Sequence, residues 1–282
     1  MSADPRGTAA SVIEFDPLLA RLRLEAEEVL RREPELGGFI HPAILAQESV
    51  AGVVIHRVAQ RLDQPEASYA AIRQAYETCI AREPGILDAF RADLLAVLER
   101  DPACNRLLEP ALYFKGFHAL QTYRLAHWLW MNGRSDFALT LQSLSSQIFQ
   151  TDIHPAARIG KGVFVDHATG VVIGATSVIE DDVSMLHGVT LGGTGKARGD
   201  RHPKVSRGVL IGAGAKVLGN IEIGRCAMIA AGSVVLESVP ANKTVAGVPA
   251  RIVGDSKCAE PALAMDQMLA VLDAASNVRT GL

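Results

Sequence analysis

Between Thr151 and Val189 the chain reads TDIHPAARIGKGVFVDHATGVVIGATSVIEDDVSMLHGV. A β-branched aliphatic returns there at every sixth position, at Ile153, Ile159, Val165, Val171, Val183 and Val189, with only Ser177 out of type. The spacing resumes at Val205 and continues through Ile211, Val217, Ile223, Ile229 and Val235. Glycine often follows directly, as in Ile159-Gly160, Ile211-Gly212 and Ile223-Gly224. A helix cannot use this period, because successive sixth residues point to different faces. A parallel β-helix can: each short strand sends an aliphatic inward, a small residue turns the corner, and three sides close one coil. An ordinary sheet rich in Gly and Val is the competing explanation, and two such long registers leave it little room. Residues 151–254 are therefore expected to form a solenoid of hexapeptide repeats.

The two registers are separated by sixteen residues, Val189 to Val205, which is not a multiple of six. Extra chain must leave the prism there. The loop over 192–204 is rich in glycine and carries Lys196, Arg198, Asp200, Arg201 and His202. A thin solenoid core has no room for chemistry, which belongs on outer faces, at subunit junctions or on such loops.

Upstream of Thr151 the period is helical. Leu18, Leu19, Leu22, Ala26, Val29 and Leu30 recur at three and four, and Pro34 with Gly37-Gly38 ends the run. Further helices are expected over His41–Leu62, Glu66–Arg82, Leu87–Arg100, Pro110–Met131 and Ser135–Phe149, with Asn132-Gly133 as a cap and turn. The fold class is thus α+β: an all-α domain over 1–150, a parallel β-helix over 151–254, and a flexible tail over 255–282 with a short amphipathic run near Leu263–Leu272.

The totals exclude several functions. A net charge of −3 argues against nucleic-acid binding, which needs a basic surface. No apolar run reaches membrane-spanning length, and the start lacks the layout of a secretory signal. Cys79, Cys104, Cys226 and Cys258 are scattered without C-x-x-C spacing and read as free thiols of a cytoplasmic protein. The string ending in Lys196 is not a phosphate-binding P-loop: Thr190 takes the first glycine position and Ala197 follows the lysine where Ser or Thr is required.

Asp152-Ile-His154-Pro-Ala-Ala, Asp166-His167-Ala-Thr-Gly170, Val189-Thr-Leu-Gly-Gly-Thr-Gly-Lys196, Gly199-Asp-Arg-His-Pro-Lys204 and Ala246-Gly-Val-Pro-Ala-Arg251 together resemble serine acetyltransferases. Arg100-Asp101-Pro-Ala and Tyr113-Phe-Lys115-Gly116-Phe117 extend the likeness into the helical half, so that it covers about residues 20–255. The resemblance implies a left-handed β-helix, an exception to the right-handed crossover rule. It implies acetyl transfer from acetyl-CoA to the hydroxyl of L-serine, the first step of cysteine biosynthesis, with acetyl-CoA as co-substrate and neither cofactor nor metal.

A serine hydroxyl is a poor nucleophile until a base takes its proton, and neutral imidazole suits that task near neutral pH. By resemblance that base is His167, with Asp152 as the dyad partner that orients the imidazole and stabilises its cation. Serine is a zwitterion, so its site needs an anion for the amine and a cation for the carboxylate. Asp101 and Asp166 resemble the amine side, Arg201 and His202 the carboxylate side. For Asp101 a cap or turn before Pro102 is an equal alternative. His154 and His187 are expected to have supporting roles. In a groove between neighbouring prisms, Gly193, Ala213 and Ala231 would let backbone amides approach the pantetheine arm, and Lys216, Lys243 or Arg251 would meet the phosphates of CoA.

The resemblance further implies a homotrimer, or a hexamer if helical halves pair trimers, with L-cysteine as feedback inhibitor. O-acetylserine sulfhydrylase is the expected partner of the C-terminal tail. The chain departs from the family at Ala175, where many members carry Glu, and at Leu282, where many end in Ile. Rival functions are a hexapeptide acyltransferase for a sugar or xenobiotic hydroxyl, a γ-type carbonic anhydrase holding zinc, and a non-enzymatic regulator of the sulfhydrylase. The zinc class pairs histidines at five-residue spacing, whereas His154, His167, His187 and His202 are thirteen, twenty and fifteen apart.

Overall fold

The computed structural model describes residues 15–195, 198–256 and 258–268. The helical half opens with α1 (Pro17–Arg32), whose buried face is Leu19, Leu22, Ala26 and Val29 and whose first amides are capped by Asp16. A short α2 (Gly37–Ile40) runs into a π turn over His41–Leu45, and α3 (Val50–Arg61) starts afresh with Ser49 accepting from Gly52 N at 3.0 Å. The run expected over 41–62 is therefore two pieces, because the Ser49 hydroxyl offers the backbone a helix start that apolar spacing cannot register. α4 (Tyr69–Arg82), capped by Ser68, and α5 (Ile86–Arg100) follow. The expected 110–131 helix is divided into α6 (Leu108–Leu112) and α7 (Lys115–Met131) by extended backbone at Phe114. α8 (Ser135–Phe149) closes this half, with Asn132 as the C-cap of α7 and Gly133 at positive φ before it.

The rest is the left-handed parallel β-helix. β1 (Thr151–Ile153), β2 (Arg158–Ile159) and β3 (Phe164–Val165) form the first coil, and β4 (Val171–Ile173), β5 (Val178–Ile179) and β6 (Ser184–Met185) the second. The third is β7 (Thr190–Gly192), β8 (Lys204–Val205) and β9 (Leu210–Ile211), and the fourth β10 (Lys216–Leu218), β11 (Glu222–Ile223) and β12 (Met228–Ile229). β13 (Val234–Val235) and β14 (Lys243–Gly247) belong to a last coil, which ends in the antiparallel β15 (Ala250–Asp255). Each side of the prism stacks one aliphatic column. Side one is Ile153, Ile173, Leu191, Val217 and Val235, and side three is Val165, Met185, Ile211, Ile229 and Val245.

These columns correct the register. The six-residue spacing puts Val171 after Val165, but Ile173 is the residue that stacks on Ile153. Val171, Ser177, Val183 and Val189 are buried at the other inward position of each side. Two extra residues therefore sit in the corner Asp166–Gly170, which spans five residues where its neighbour Leu186–Gly188 spans three. Aliphatics occupy both inward positions, so a slip of two leaves the period unchanged. His167 and Ala168, inside that enlarged corner, both adopt positive φ (54° and 56°), a costly conformation for non-glycine residues that concentrates at functional sites.

A solenoid exposes its core at each end unless something caps it. Here α7 is the plug: it is buried almost all round, and its Leu120 and Tyr123 join the prism core beside Ile153, Ala157 and Val163. Tyr123 OH donates to Ala157 O (2.6 Å) and accepts from Ile159 N (3.1 Å). Fully buried Asp93 accepts from Arg124 Nε (2.7 Å) and Nη2 (2.9 Å), from Gln121 Nε2 (3.0 Å) and from Val163 N (3.1 Å), so α5, α7 and the first coil share one network, in which Gln121 Oε1 alone is left without a partner among the described residues.

Part of the expected tail is docked. A short helix α9 (Pro261–Ala264) buries Pro261 and Ala262, and Ser184 Oγ donates to Ala262 O at 2.7 Å. The end of the amphipathic run near Leu263–Leu272, after residue 268, and the Arg279–Leu282 terminus lie outside the described residues. Among the described residues no helix is long and apolar enough to cross a membrane. All four cysteines are free thiols.

Candidate active site

A cavity of about 860 Å³ opens where the end of α5, the start of α7 and the enlarged corner of the first coil meet. Asp101, Asp166 and His167 line it, with Lys115, Phe114 and Met265 in the walls. α5 stops at Asp101, whose Oδ1 accepts from Ala103 N at 2.9 Å. The turn before Pro102 and the place in the cavity therefore coexist: one carboxylate oxygen holds the turn and the other has no hydrogen-bond partner among the described residues. Next to it, Arg100 reaches Ser184 Oγ (3.1 Å) and Asp182 Oδ1 (3.4 Å). Because Ser184 also holds Ala262, this contact fixes the tail segment that forms one wall.

His167 projects from its corner with a side chain 76% exposed, Nε2 lying 3.8 Å from Asp166 Oδ1. Its ring meets that of His187 edge-on at 5.9 Å. Burial raises the Asp166 carboxyl above its ordinary value; His167 works against the rise and Asp101 adds to it. Two carboxylates thus share a partly desolvated space, an arrangement relieved by a cation between them.

Asp152 behaves differently from the expected dyad. As the middle residue of β1 it points out from side one and accepts from Gln142 Nε2 at 2.6 Å. Among the described residues of the single chain no hydrogen bond joins it to His167; the carboxylate within 4 Å of that ring is Asp166. The corner nevertheless rests against the residues beside Asp152, with Gly170 N donating to Gln150 O (2.8 Å) and Thr151 Oγ1 to Ala168 O (3.3 Å).

Arg201 and His202 occupy the corner at the opposite edge of side one. His202 is 6% exposed and its ring covers Gly174, where any Cβ would overlap it. Thr176 N donates to its Nδ1 (3.2 Å). Burial, followed by the nearby Arg201 and Lys204, lowers its pKa and so favours the neutral ring. The Arg201 stem lies over Gly193 and its guanidinium has no carboxylate within 4 Å among the described residues. His154 stands at this same corner, its Nδ1 accepting from Ala156 N at 3.0 Å. The four histidines therefore divide between two corners, His167 with His187 and His154 with His202.

Of the other candidates, Ala213 and Ala231 stack below His187 in one corner column, through Gly214 N to His187 O and Gly232 N to Ala213 O, each 2.8 Å. Their own N–H groups have no acceptor among the described residues. Lys216 stands on the outer row of side one, its ammonium bonded to Gly188 O and to Thr190 Oγ1 (3.1 Å). Gly193 is not in the column; it belongs to the Arg201 corner. Arg100, Thr176 and the 263–267 wall were not assigned to the site from sequence, because their partners lie tens of residues away and follow no period.

Comparison with known proteins agrees with this architecture. Residues 18–122 match the family model for the serine acetyltransferase N-terminal region, and residues 202–237 that for bacterial transferase hexapeptide repeats. Serine acetyltransferase of Salmonella typhimurium is 50% identical over 254 residues, 90% of this chain and 93% of that protein. That of Haemophilus influenzae is 50% identical over 257 residues, 91% of this chain and 96% of its own length. A crystal structure of serine acetyltransferase in complex with coenzyme A from Brucella abortus superposes with a TM-score of 0.86 at 59% identity, covering 88% of this chain and all of that one. A serine acetyltransferase in complex with cysteine gives 0.87 at 50% identity, covering 89% and 98%. The chain belongs to the serine acetyltransferase family.

Proposed function

We propose that this chain moves the acetyl group of acetyl-CoA onto the hydroxyl of L-serine, and that His167 takes the hydroxyl proton. The observation that carries the assignment is the cavity in which Asp101 and Asp166 face the same space as His167. An ammonium between the two carboxylates places the serine hydroxyl at the imidazole. As the proton moves to His167 the hydroxyl oxygen attacks the thioester carbon; collapse of the tetrahedral adduct breaks the C–S bond, and the thiolate leaves with the proton from the imidazolium. Asp152, in the strand whose Thr151 supports the corner, is assigned to steady the imidazolium once it exchanges Gln142 for His167.

The substrate carboxylate needs Arg201 and His202, which stand at the other edge of side one. A second copy set corner to corner would bring them to the cavity, so a ring of three chains forming three shared sites is part of the proposal, with helical halves pairing two rings. The same clamp accepts L-cysteine, whose thiol replaces the hydroxyl, and supports feedback inhibition by that amino acid. The pantetheine arm of acetyl-CoA is assigned to the free N–H groups of Ala213 and Ala231, with Lys216 beside them. O-acetylserine, the product, feeds the sulfhydrylase reaction of cysteine biosynthesis, and that enzyme is the proposed partner of the C-terminal residues.

Release of CoA, followed with a thiol reagent, tests the assignment. Serine-dependent turnover should fall by about a hundredfold or more in His167→Ala, the scale of one positioned base. Turnover with a sugar acceptor and none with serine would reject it.

A further inference from the structure

Thr176 collects an unusual number of bonds for an exterior corner. Arg201 N donates to its Oγ1 at 3.0 Å and His202 N at 3.1 Å, while Oγ1 lies 2.8 Å from His202 Nδ1. A hydroxyl has one proton and two lone pairs. Both lone pairs are taken by the two backbone N–H groups, which leaves the proton for Nδ1 at 2.8 Å, with the Asp200 carboxylate as the other acceptor beside it. The Thr176 N–H, 3.2 Å from the same nitrogen, is a second donor. Nδ1 is therefore the unprotonated nitrogen, and the imidazole hydrogen sits on Nε2, which has no partner within the chain among the described residues. The groups around the ring include Arg201, Lys204 and His154, which disfavour a second proton, and Asp200, which opposes them.

Lys204 completes the anchor. Its ammonium donates to Thr176 O (2.8 Å), His202 O (2.9 Å) and Asp200 Oδ1 (2.6 Å), which uses all three of its protons. The loop that leaves the prism after Gly192 is thereby pinned, just before it rejoins the prism, to the corner of the preceding coil.

We infer that Thr176 is the positioning residue of the carboxylate clamp: its hydroxyl sets the backbone of Arg201 and His202 and fixes the tautomer that leaves Nε2–H to donate to an amino-acid carboxylate. The inference rests on the assignment of Arg201 and His202 to the substrate carboxylate. Thr176 itself touches no substrate. It acts by removing the freedom of two side chains that must meet one planar anion together, and preorganised donors are stronger than mobile ones.

Steady-state kinetics of Thr176→Val and Thr176→Ser, in which the first keeps shape without the hydroxyl and the second restores it, give the test. With acetyl-CoA saturating, Thr176→Val should raise KM for serine by roughly 10- to 100-fold, the scale of two or three hydrogen bonds. KM for acetyl-CoA should stay within about threefold of wild type, and Thr176→Ser should return the serine KM to a similar margin. If Thr176→Val does not fold, Thr176→Ala carries the same expectation. An unchanged serine KM, a parallel loss of acetyl-CoA affinity, or no rescue by Ser would overturn the inference while wild type remains active. Absence of serine turnover in the wild type would instead overturn the assignment of function.

Discussion

Gly116 offers the sharpest mechanical test of how the helical half sets the site. It is the second residue of α7, packed against the backbone of Val165, the residue immediately before Asp166 and His167. A Cβ there would stand inside 3.0 Å of Val165 O, where ordinary contact begins at 3.4 Å, so α7 must retreat by more than 0.4 Å. The obstacle is a carbonyl oxygen of the prism edge, which cannot rotate away as a side chain would. Overpacking of this kind costs about 1–3 kcal/mol, or roughly 2–12 °C in midpoint for a chain of this size. A shift of that order in a catalytic edge is also felt in rate, since about 1 Å of misplacement can cost on the order of a hundredfold. Gly116→Ala should therefore lower both the unfolding midpoint and kcat/KM for serine, the latter by roughly tenfold. Thermal unfolding beside the CoA-release assay measures both. Gly38→Ala is the control, because a Cβ at Gly38 meets nothing within 4 Å. If Gly116→Ala matched wild type in both measurements, α7 would have no part in holding the catalytic corner.

Two further outcomes concern protons. The Asp166 carboxyl is raised above 3.8 in the folded chain by burial, so folding favours its protonated form and stability falls as pH rises through the range just above that value. Asp166→Asn should unfold at a higher temperature than wild type at pH 7, the gap closing toward pH 4, while its KM for serine rises; calorimetry across that range with parallel kinetics decides it. His118 is fully buried and held neutral down to about 3, against 6.5 for a free imidazole. Its contribution to stability is complete above 6.5 and is lost as pH falls toward 3, at no more than ~1.4 kcal/mol per pH unit. His118→Gln should flatten the acid limb of the urea midpoint, and an unaltered limb would reject the assignment.

The solenoid was legible because its inward positions are filled from one narrow set of side chains at a fixed interval. The same uniformity hid the two-residue enlargement at Asp166–Gly170, since Val171 and Ile173 serve equally well as the next aliphatic. Helix existence was legible and helix interruption was not: Phe114 is as apolar as the helices it separates, and only its backbone conformation reveals the break. At the site, His167, Asp101 and Asp166 line one cavity although Asp101 comes from the helical half and the other two from the prism. Arg201 and His202 stand at another corner because a prism side lies between them and His167, a separation that no linear motif encodes. Thr176, beside the departure at Ala175, carried no role from sequence: its partners follow twenty-five and twenty-six residues later, across a loop whose length obeys no period.

The plug formed by α7 gives the prism a fixed origin. From His167, the corner column descends through His187 and Ala213 to Ala231, one residue per coil, a drop of about 14 Å at the usual spacing between strands. The solenoid is in this sense a ruler with its zero mark at the His167 corner. Its graduations are coils, and under the assignment proposed above their number limits how long a thioester carrier can lie along the column with its acyl end still at His167. A chain shortened by one coil at the far end would keep its base and its carboxylates intact and lose reach alone.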